Sequence, residues 1–121
     1  MQGCGRFLVF IAALAGAAGV ALAAVAAHKL QNPAIASASQ MLMVHAAAVL
    51  ALVAIAGRHE QQGFWLAAAL VILAGSIVFA LAVSLPLLAD VTFFPMAAPI
   101  GGTAVMVGWA LAALAALVVR S

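Results

Sequence analysis

Three histidines and two carboxylates are the residues of this chain best suited to chemistry. His28, His45 and His59 could ligate a metal ion or a haem iron, and Glu60 and Asp90 could serve as a general acid and base. The sequence carries no CxxC or HExxH motif, no phosphate-binding loop and no Ser/His/Asp set beside them. What these five side chains can do therefore depends on the elements that hold them.

The segments between these residues are strongly apolar. Of the 121 residues 70% are hydrophobic, and only 4 Lys and Arg and 2 Asp and Glu are charged, against roughly a quarter in soluble proteins. Because backbone groups in hydrocarbon must bond within their own segment, and these runs lack the alternation of barrel strands, helices are expected. We predict an all-α, polytopic transmembrane four-helix bundle from four uncharged runs of membrane-spanning length, residues 7–27, 41–57, 64–89 and 96–119.

Capping residues and prolines set the expected helix ends. Asn32 is a favourable N-cap and Pro33 a favourable first helical residue. Pro86 should weaken the end of the third helix, and Pro95 and Pro99 prevent a simple continuation into the fourth. We predict one domain, residues 1–121, with helices at about 7–28, 33–57, 62–88 and 97–119.

The distribution of basic residues predicts the orientation in the membrane. With four crossings, both termini lie on the same side of the membrane as the connection "RHEQQG". That side carries Arg6, Arg58 and Arg120, while Lys29 lies on the other side. Because cytoplasmic segments are enriched in Lys and Arg, we expect both termini to be cytoplasmic.

Several short segments, taken in order, resemble one protein family. They are "ALAAVAAHKL" at the end of the first helix, "VHAAAVLAL" in the second, "FALA" in the third, and "PIGG" followed by "GW" in the fourth. The chain resembles the YgdD-like family, small four-helix membrane proteins classed as a domain of unknown function, with mitochondrial relatives. The resemblance implies a fold and a bacterial inner (cytoplasmic) membrane location, and it implies no activity.

The predicted positions of the reactive side chains argue against catalysis. Glu60 and Asp90 are expected on opposite sides of the membrane, so they cannot form a catalytic pair. At helical rise His28 and His45 differ in height by about 13 Å, too far to ligate one iron without strong tilting. Four scattered basic residues do not make a nucleic-acid surface. We therefore expect no enzymatic activity, no catalytic residue, no cofactor, no metal ion and no nucleic-acid partner.

The first candidate site is an intramembrane polar layer. Gly19, His45, Ser76 and Gly108 all lie roughly 20 Å from the predicted cytoplasmic level. Because an ionisable side chain in hydrocarbon normally faces the bundle interior, His45 should bond the Ser76 hydroxyl or a nearby backbone carbonyl. The two glycines should leave room around the imidazole. Trp109, about 16 Å deep, is expected to pack in the core.

The second candidate site is a rim at the extracytoplasmic end, formed by His28, Lys29, Asp90, Pro99, Gly101 and Gly102. A proline in the first turn of a helix loses no hydrogen bond, and adjacent glycines let another backbone come close. His28 would serve structurally as a polar helix end. Alternatively, the free amides at the start of the fourth helix would bind an anion or a lipid headgroup.

Small residues recur at four-residue spacing on two helices, as Ala15, Gly19, Ala23 and Ala27 and as Ala104, Gly108, Ala112 and Ala116. Such stripes allow close packing, so the first and fourth helices should pack against each other or against a partner.

We predict a non-catalytic accessory or assembly component acting through helix packing, with the lipid bilayer and other membrane subunits or a second copy as partners. The first alternative is a small transporter or lipid-binding membrane protein using His45 and the extracytoplasmic rim. The second is an intramembrane redox subunit.

Overall fold

A computed structural model describes residues 2–30, 32–90 and 95–119, without the side chains of Gln2, Lys29 and Leu30. The described residues contain four α-helices and no strand, so the predicted all-α class is confirmed. Each helix is long and apolar enough to cross a membrane, and the chain is a multi-pass membrane protein. The elements are α1 (Gln2–Val25) followed by a π-helical turn (Ala26–Leu30), α2 (Pro33–Ala56), α3 (Gly63–Leu88) and α4 (Ala97–Val118).

Local sequence explains most helix ends. The Asn32 side chain accepts a 2.8 Å hydrogen bond from the Ala34 N–H, and Pro33 follows at the start of α2. α1 begins at Gln2 rather than near residue 7. Pro86 lies within α3, which continues to Leu88, and the proline removes one backbone hydrogen bond from this last part of the helix.

The helices pack in chain order around a central α2–α3 pair. α1 packs on α2, α4 packs on α3, and α1 touches α3 only at a few positions. Of the two predicted uses of the small-residue stripes, packing of α1 against α4 is wrong for the described residues, and packing against a partner protein stays a prediction. Instead Gly19 of the α1 stripe faces α2, and Gly108 of the α4 stripe faces α3. Short connections favour sequential neighbours, and a small-residue stripe fits any close helix.

The closest helix contact joins α3 to α4 through glycines. A Cβ on Gly75 would lie 2.7 Å from the Gly101 carbonyl oxygen, and a Cβ on Gly101 would lie 2.7 Å from the Gly75 oxygen and from the Phe79 nitrogen. Further along, a Cβ on Gly108 would overlap the Ile72 side chain. We call Gly75, Gly101, Gly108 and Ile72 the α3–α4 seam. Here backbones touch because side chains are missing, as in tightly packed membrane helices.

One end of the molecule, the turn end, carries the start of α1 and the α2–α3 turn. Gly5 and Arg6 line a common cavity there with Gly57 and Gln62. Of the basic residues used to predict orientation, Arg120 lies outside the described residues and the Lys29 side chain is likewise not described. The cytoplasmic assignment of the turn end therefore stays a prediction.

Candidate functional site

His45 lies at the middle of α2 and is half-buried. Its Nδ1 atom is 2.8 Å from the Met41 carbonyl oxygen, one turn earlier in the same helix. A carbonyl oxygen only accepts, so this bond places a hydrogen on Nδ1 and leaves Nε2 as an acceptor in the neutral imidazole. Of the two partners predicted for His45, the structure therefore has the backbone carbonyl.

Ser76 lies at the middle of α3 and is buried. Its Oγ donates a 3.0 Å hydrogen bond to the Leu73 carbonyl of its own helix. Among the described residues, His45 and Ser76 do not form the predicted hydrogen bond with each other. The reason is that a carbonyl three or four residues earlier is always within reach of a helical serine, and here of the imidazole as well.

The two glycines of the predicted layer have packing roles away from the imidazole. A Cβ on Gly19 would lie 2.6 Å from Met43 Cγ and 3.2 Å from Leu42 Cβ, so this glycine admits α2. Gly108 belongs to the α3–α4 seam, against Ile72. The expectation that both glycines leave room around the His45 ring is wrong. They face other neighbours, because the position of a residue along its helix does not fix the direction in which it points.

Trp109 is the neighbour of His45 that sequence reasoning missed. The two rings meet edge to face, with centroids 5.9 Å apart and planes inclined at 68°, an arrangement favourable for aromatic pairs. Trp109 is 45% exposed, so its predicted place in the core is wrong. The available signal was that both residues lie near the middle of their helices.

His45 also lines an open groove of about 300 Å³, which we call the α2 groove, together with Ser37, Gln40, Met41, Val44 and Phe79. Ser37 and Gln40 are exposed, and both line the same groove as His45. Along the helix axis Gln40 lies about 7 Å and Ser37 about 12 Å from His45. The groove thus presents a hydroxyl, an amide and an imidazole, from near the start of α2 to the middle of this helix.

The residues of the predicted rim belong to elements that pack against different helices. His28 is exposed in the π-helical turn, which packs on α1 and α2, whereas α4 packs on α3. Asp90 is exposed and has a φ of 56°, a left-handed conformation that aspartate adopts more readily than most residues. The Lys29 side chain lies outside the described residues. Whether these residues bind an anion stays a prediction.

The start of α4 has a structural use for part of its Pro-Ile-Gly-Gly sequence. Pro99 is exposed in the first turn and lines a groove of about 400 Å³ with Val71 and Thr103 among other residues. Gly101 is buried in the α3–α4 seam, while Gly102 has only the Phe79 ring edge, 4.0 Å from an added Cβ. Gly101 therefore serves helix contact, whereas Pro99 and Ile100 are exposed and Gly102 is half-buried.

The third histidine lies apart from the other two, at the turn end. The His59 ring stacks on Trp65, with centroids 5.7 Å apart and an interplanar angle of 27°. Among the described residues His59 Nδ1 and Trp65 Nε1 are buried without a hydrogen-bond partner. Residues 2–30, 32–90 and 95–119 contain no group of three His, Cys, Asp or Glu side chains that could hold a metal ion.

Comparison with known proteins gives one match. A family model described as "Protein of unknown function (DUF423)" covers residues 22–102, more than half of the chain. No curated protein and no solved structure matches the chain. The matched range contains the His28, His45 and Pro-Ile-Gly-Gly segments on which the resemblance to an uncharacterised family of small membrane proteins was based, and Gly108-Trp109 lies outside it. The chain belongs to the DUF423 family of proteins of unknown function.

Proposed function

We propose that this membrane protein is a non-catalytic accessory or assembly component, and that its α2 groove receives a transmembrane helix of a partner subunit. The observation that carries the proposal is the row of Ser37, Gln40 and His45 along the open α2 groove. His45 stands at the middle of a helix long enough to cross the membrane.

The energetic argument concerns polar groups in hydrocarbon. Ionisable side chains within a membrane normally face protein or a water-filled cavity, because contact with lipid is costly. Serine, glutamine and histidine commonly hydrogen-bond across helix interfaces, where one such bond contributes about 0.6 to 2 kcal/mol. A partner helix with polar side chains of its own would satisfy Gln40 and Ser37, and a donor could reach His45 Nε2.

The walls of the groove suit helix packing. Met41 and Val44 of α2 and Phe79 of α3 supply apolar surface around the polar row. Methionine adapts to irregular contacts. Trp109 is exposed beside His45, and tryptophan is among the residues that contribute most to protein interfaces.

A non-catalytic role is supported by the separation of the acid and base groups. Glu60 lies in the α2–α3 turn, and Asp90 follows the other end of α3. His45 and Ser76 each hydrogen-bond a backbone carbonyl of their own helix. General acid–base catalysis needs such groups within hydrogen-bonding distance of one reacting centre.

The proposal is tested by purifying tagged protein from its native membrane in a mild detergent and identifying the proteins that remain bound. We compare the wild-type chain with the double variant Gln40→Leu, His45→Leu, and with His28→Leu as a matched histidine control. We expect one membrane subunit to co-purify with the wild-type and His28→Leu chains. Its recovery should fall about 3- to 30-fold in the double variant, the equivalent of one lost interhelical bond.

Other results would contradict this function. A lipid or solute that binds in place of a protein, and is lost in the double variant, would support the transporter or lipid-binding alternative. A haem absorption band in the purified protein would support the redox alternative. A homodimer that the double variant dissociates would replace the partner subunit with a second copy of this chain.

A further inference from the structure

A second open cavity lies at the turn end, away from the α2 groove. It has a volume of about 620 Å³, within the range of about 300 to 1,000 Å³ that ligand sites occupy. The start of α1, the end of α2 and the start of α3 enclose it. Its lining residues are Gly5, Arg6, Val9, Phe10, Val53, Ala56, Gly57, Gln62 and Leu66.

The polar and apolar lining residues lie at different depths. Arg6 lies in the second turn of α1, and Gln62 is the N-cap residue just before α3. Val9 and Leu66 lie about 5 to 6 Å further along the same helices, toward the membrane interior. A polar opening above an apolar interior is the arrangement that fits a lipid with its headgroup outward and an acyl chain inward.

The charge of the cavity favours an anionic headgroup. Arg6 carries a guanidinium group, and no acidic side chain lines the cavity among the described residues. The positive end of the α3 dipole points to the same opening. There Gln62 makes no side-chain capping bond to the helix, so its amide is not used for that purpose.

The negative end of α2 is satisfied by the turn that follows it. The N–H groups of Gly57, Arg58 and His59 donate to the carbonyls of Val53, Ile55 and Ala56. These bonds engage carbonyl groups that would otherwise face a bound anion at the end of the helix. The acidic residue in the turn, Glu60, is exposed and does not line the cavity.

We propose that this turn-end cavity binds an anionic phospholipid. The Arg6 guanidinium pairs with the phosphodiester, as arginine does in bidentate phosphate recognition. Gln62 donates to a headgroup oxygen. One acyl chain lies against Val9, Phe10, Val53 and Leu66, and the remaining chain stays in the bilayer. The site is independent of the α2 groove, so either proposal can fail without the other.

The test is native mass spectrometry of delipidated protein in detergent with added phosphatidylglycerol or phosphatidylcholine. We expect one phosphatidylglycerol to bind the wild-type chain at concentrations that leave phosphatidylcholine unbound. Arg6→Gln should lower phosphatidylglycerol affinity by about ten-fold, since a charged hydrogen bond is lost. Arg58→Gln removes a neighbouring exposed charge outside the cavity, and it should change the affinity by less than about two-fold.

A cavity-filling variant, Val9→Trp, provides a second measurement that leaves the charge unchanged, and it should also lower binding. Thermal unfolding without lipid shows whether each variant is folded. Equal losses from Arg6→Gln and Arg58→Gln would overturn the proposal by showing attraction to the general charge of this end. Equal binding of the two lipids, unaffected by Arg6→Gln, would overturn it as well.

Discussion

The α3–α4 seam and the α2 groove lie in the same bundle and differ in what they contact: the seam is filled by a second helix of this chain, and the groove is open. In the seam, Gly75 and Gly101 bring two backbones into contact and leave no space for a Cβ on either. In the groove, Gln40 and His45 extend polar side chains from α2 toward open space. Without a hydrophobic force between helices in lipid, small residues and polar residues are the two means of holding helices together.

The comparison shows how one short chain can separate folding from association. The seam is completed by residues of this chain alone, so it contributes to the stability of the single bundle. The groove has polar groups that the described residues of the chain leave exposed, such as the Ser37 hydroxyl and the Gln40 amide. Substitutions in the seam should therefore affect unfolding, and substitutions in the groove should affect binding.

The largest effect is expected for Gly101→Ala. The added Cβ would lie 2.7 Å from backbone atoms of Gly75 and Phe79, which cannot move as a flexible side chain can. Overpacking of this kind costs about 1 to 3 kcal/mol. The control is Gly102→Ala, whose Cβ would have 4.0 Å to the Phe79 ring. Unfolding in mixed detergent micelles measures both, and equal stability of the two variants would contradict a tight seam.

Gly19→Ala should destabilise the protein less, by about 1 kcal/mol. Its Cβ would meet Met43 Cγ at 2.6 Å, and this side chain can adopt another rotamer. Gly16→Ala is the control, because its Cβ would reach only an ordinary 3.6 Å contact with Ala46. The same unfolding measurement applies. A cost for Gly19→Ala above that of Gly101→Ala would reverse the ranking of the two helix pairs.

A double-mutant cycle on His45→Ala and Ser76→Ala should give a coupling energy below about 0.5 kcal/mol in the isolated protein. Each side chain bonds a carbonyl of its own helix, so neither loses a bond when the other is removed. Unfolding free energies of the two single variants and the double variant supply the cycle. A coupling near 1 kcal/mol would instead indicate the direct bond expected from the sequence.

The smallest effect is expected for His28→Ala, within about 0.5 kcal/mol of the wild-type stability. His28 is exposed at the end of α1 and its side chain is outside the buried core. The variant also serves as a control for His45, since both remove one imidazole. A loss of stability above 1 kcal/mol, measured by the same unfolding experiment, would show that the rim has a structural role.

The sequence predicted the helices well because their determinants are local. Asn32 and Pro33 define the start of α2 through one cap, and the length of each apolar run defines a membrane span. The positions of His45 and Ser76 near the middle of α2 and α3 follow from the same helix bounds.

The direction in which a residue points was not predictable from depth. Gly19 and Gly108 were predicted at the level of His45 and beside its ring, and they face Met43 and Ile72 instead. Apolar residues surround each helix, so the hydrophobic pattern does not mark an inner face as it does in a soluble bundle. A small-residue stripe does not specify which helix packs against it. The neighbours of α1 and α4 and the exposure of Trp109 therefore could not be predicted from the stripes.

Site-specific photo-crosslinking in the native membrane tests the central claim most directly. A photoreactive residue replaces Val44, which is 58% exposed in the α2 groove, and in a matched variant it replaces Leu70, which is 51% exposed on α3 and outside the groove. We predict that position 44 crosslinks to one membrane subunit and that position 70 gives lipid adducts. Lipid adducts alone at both positions would show that the groove faces the bilayer and would contradict the account.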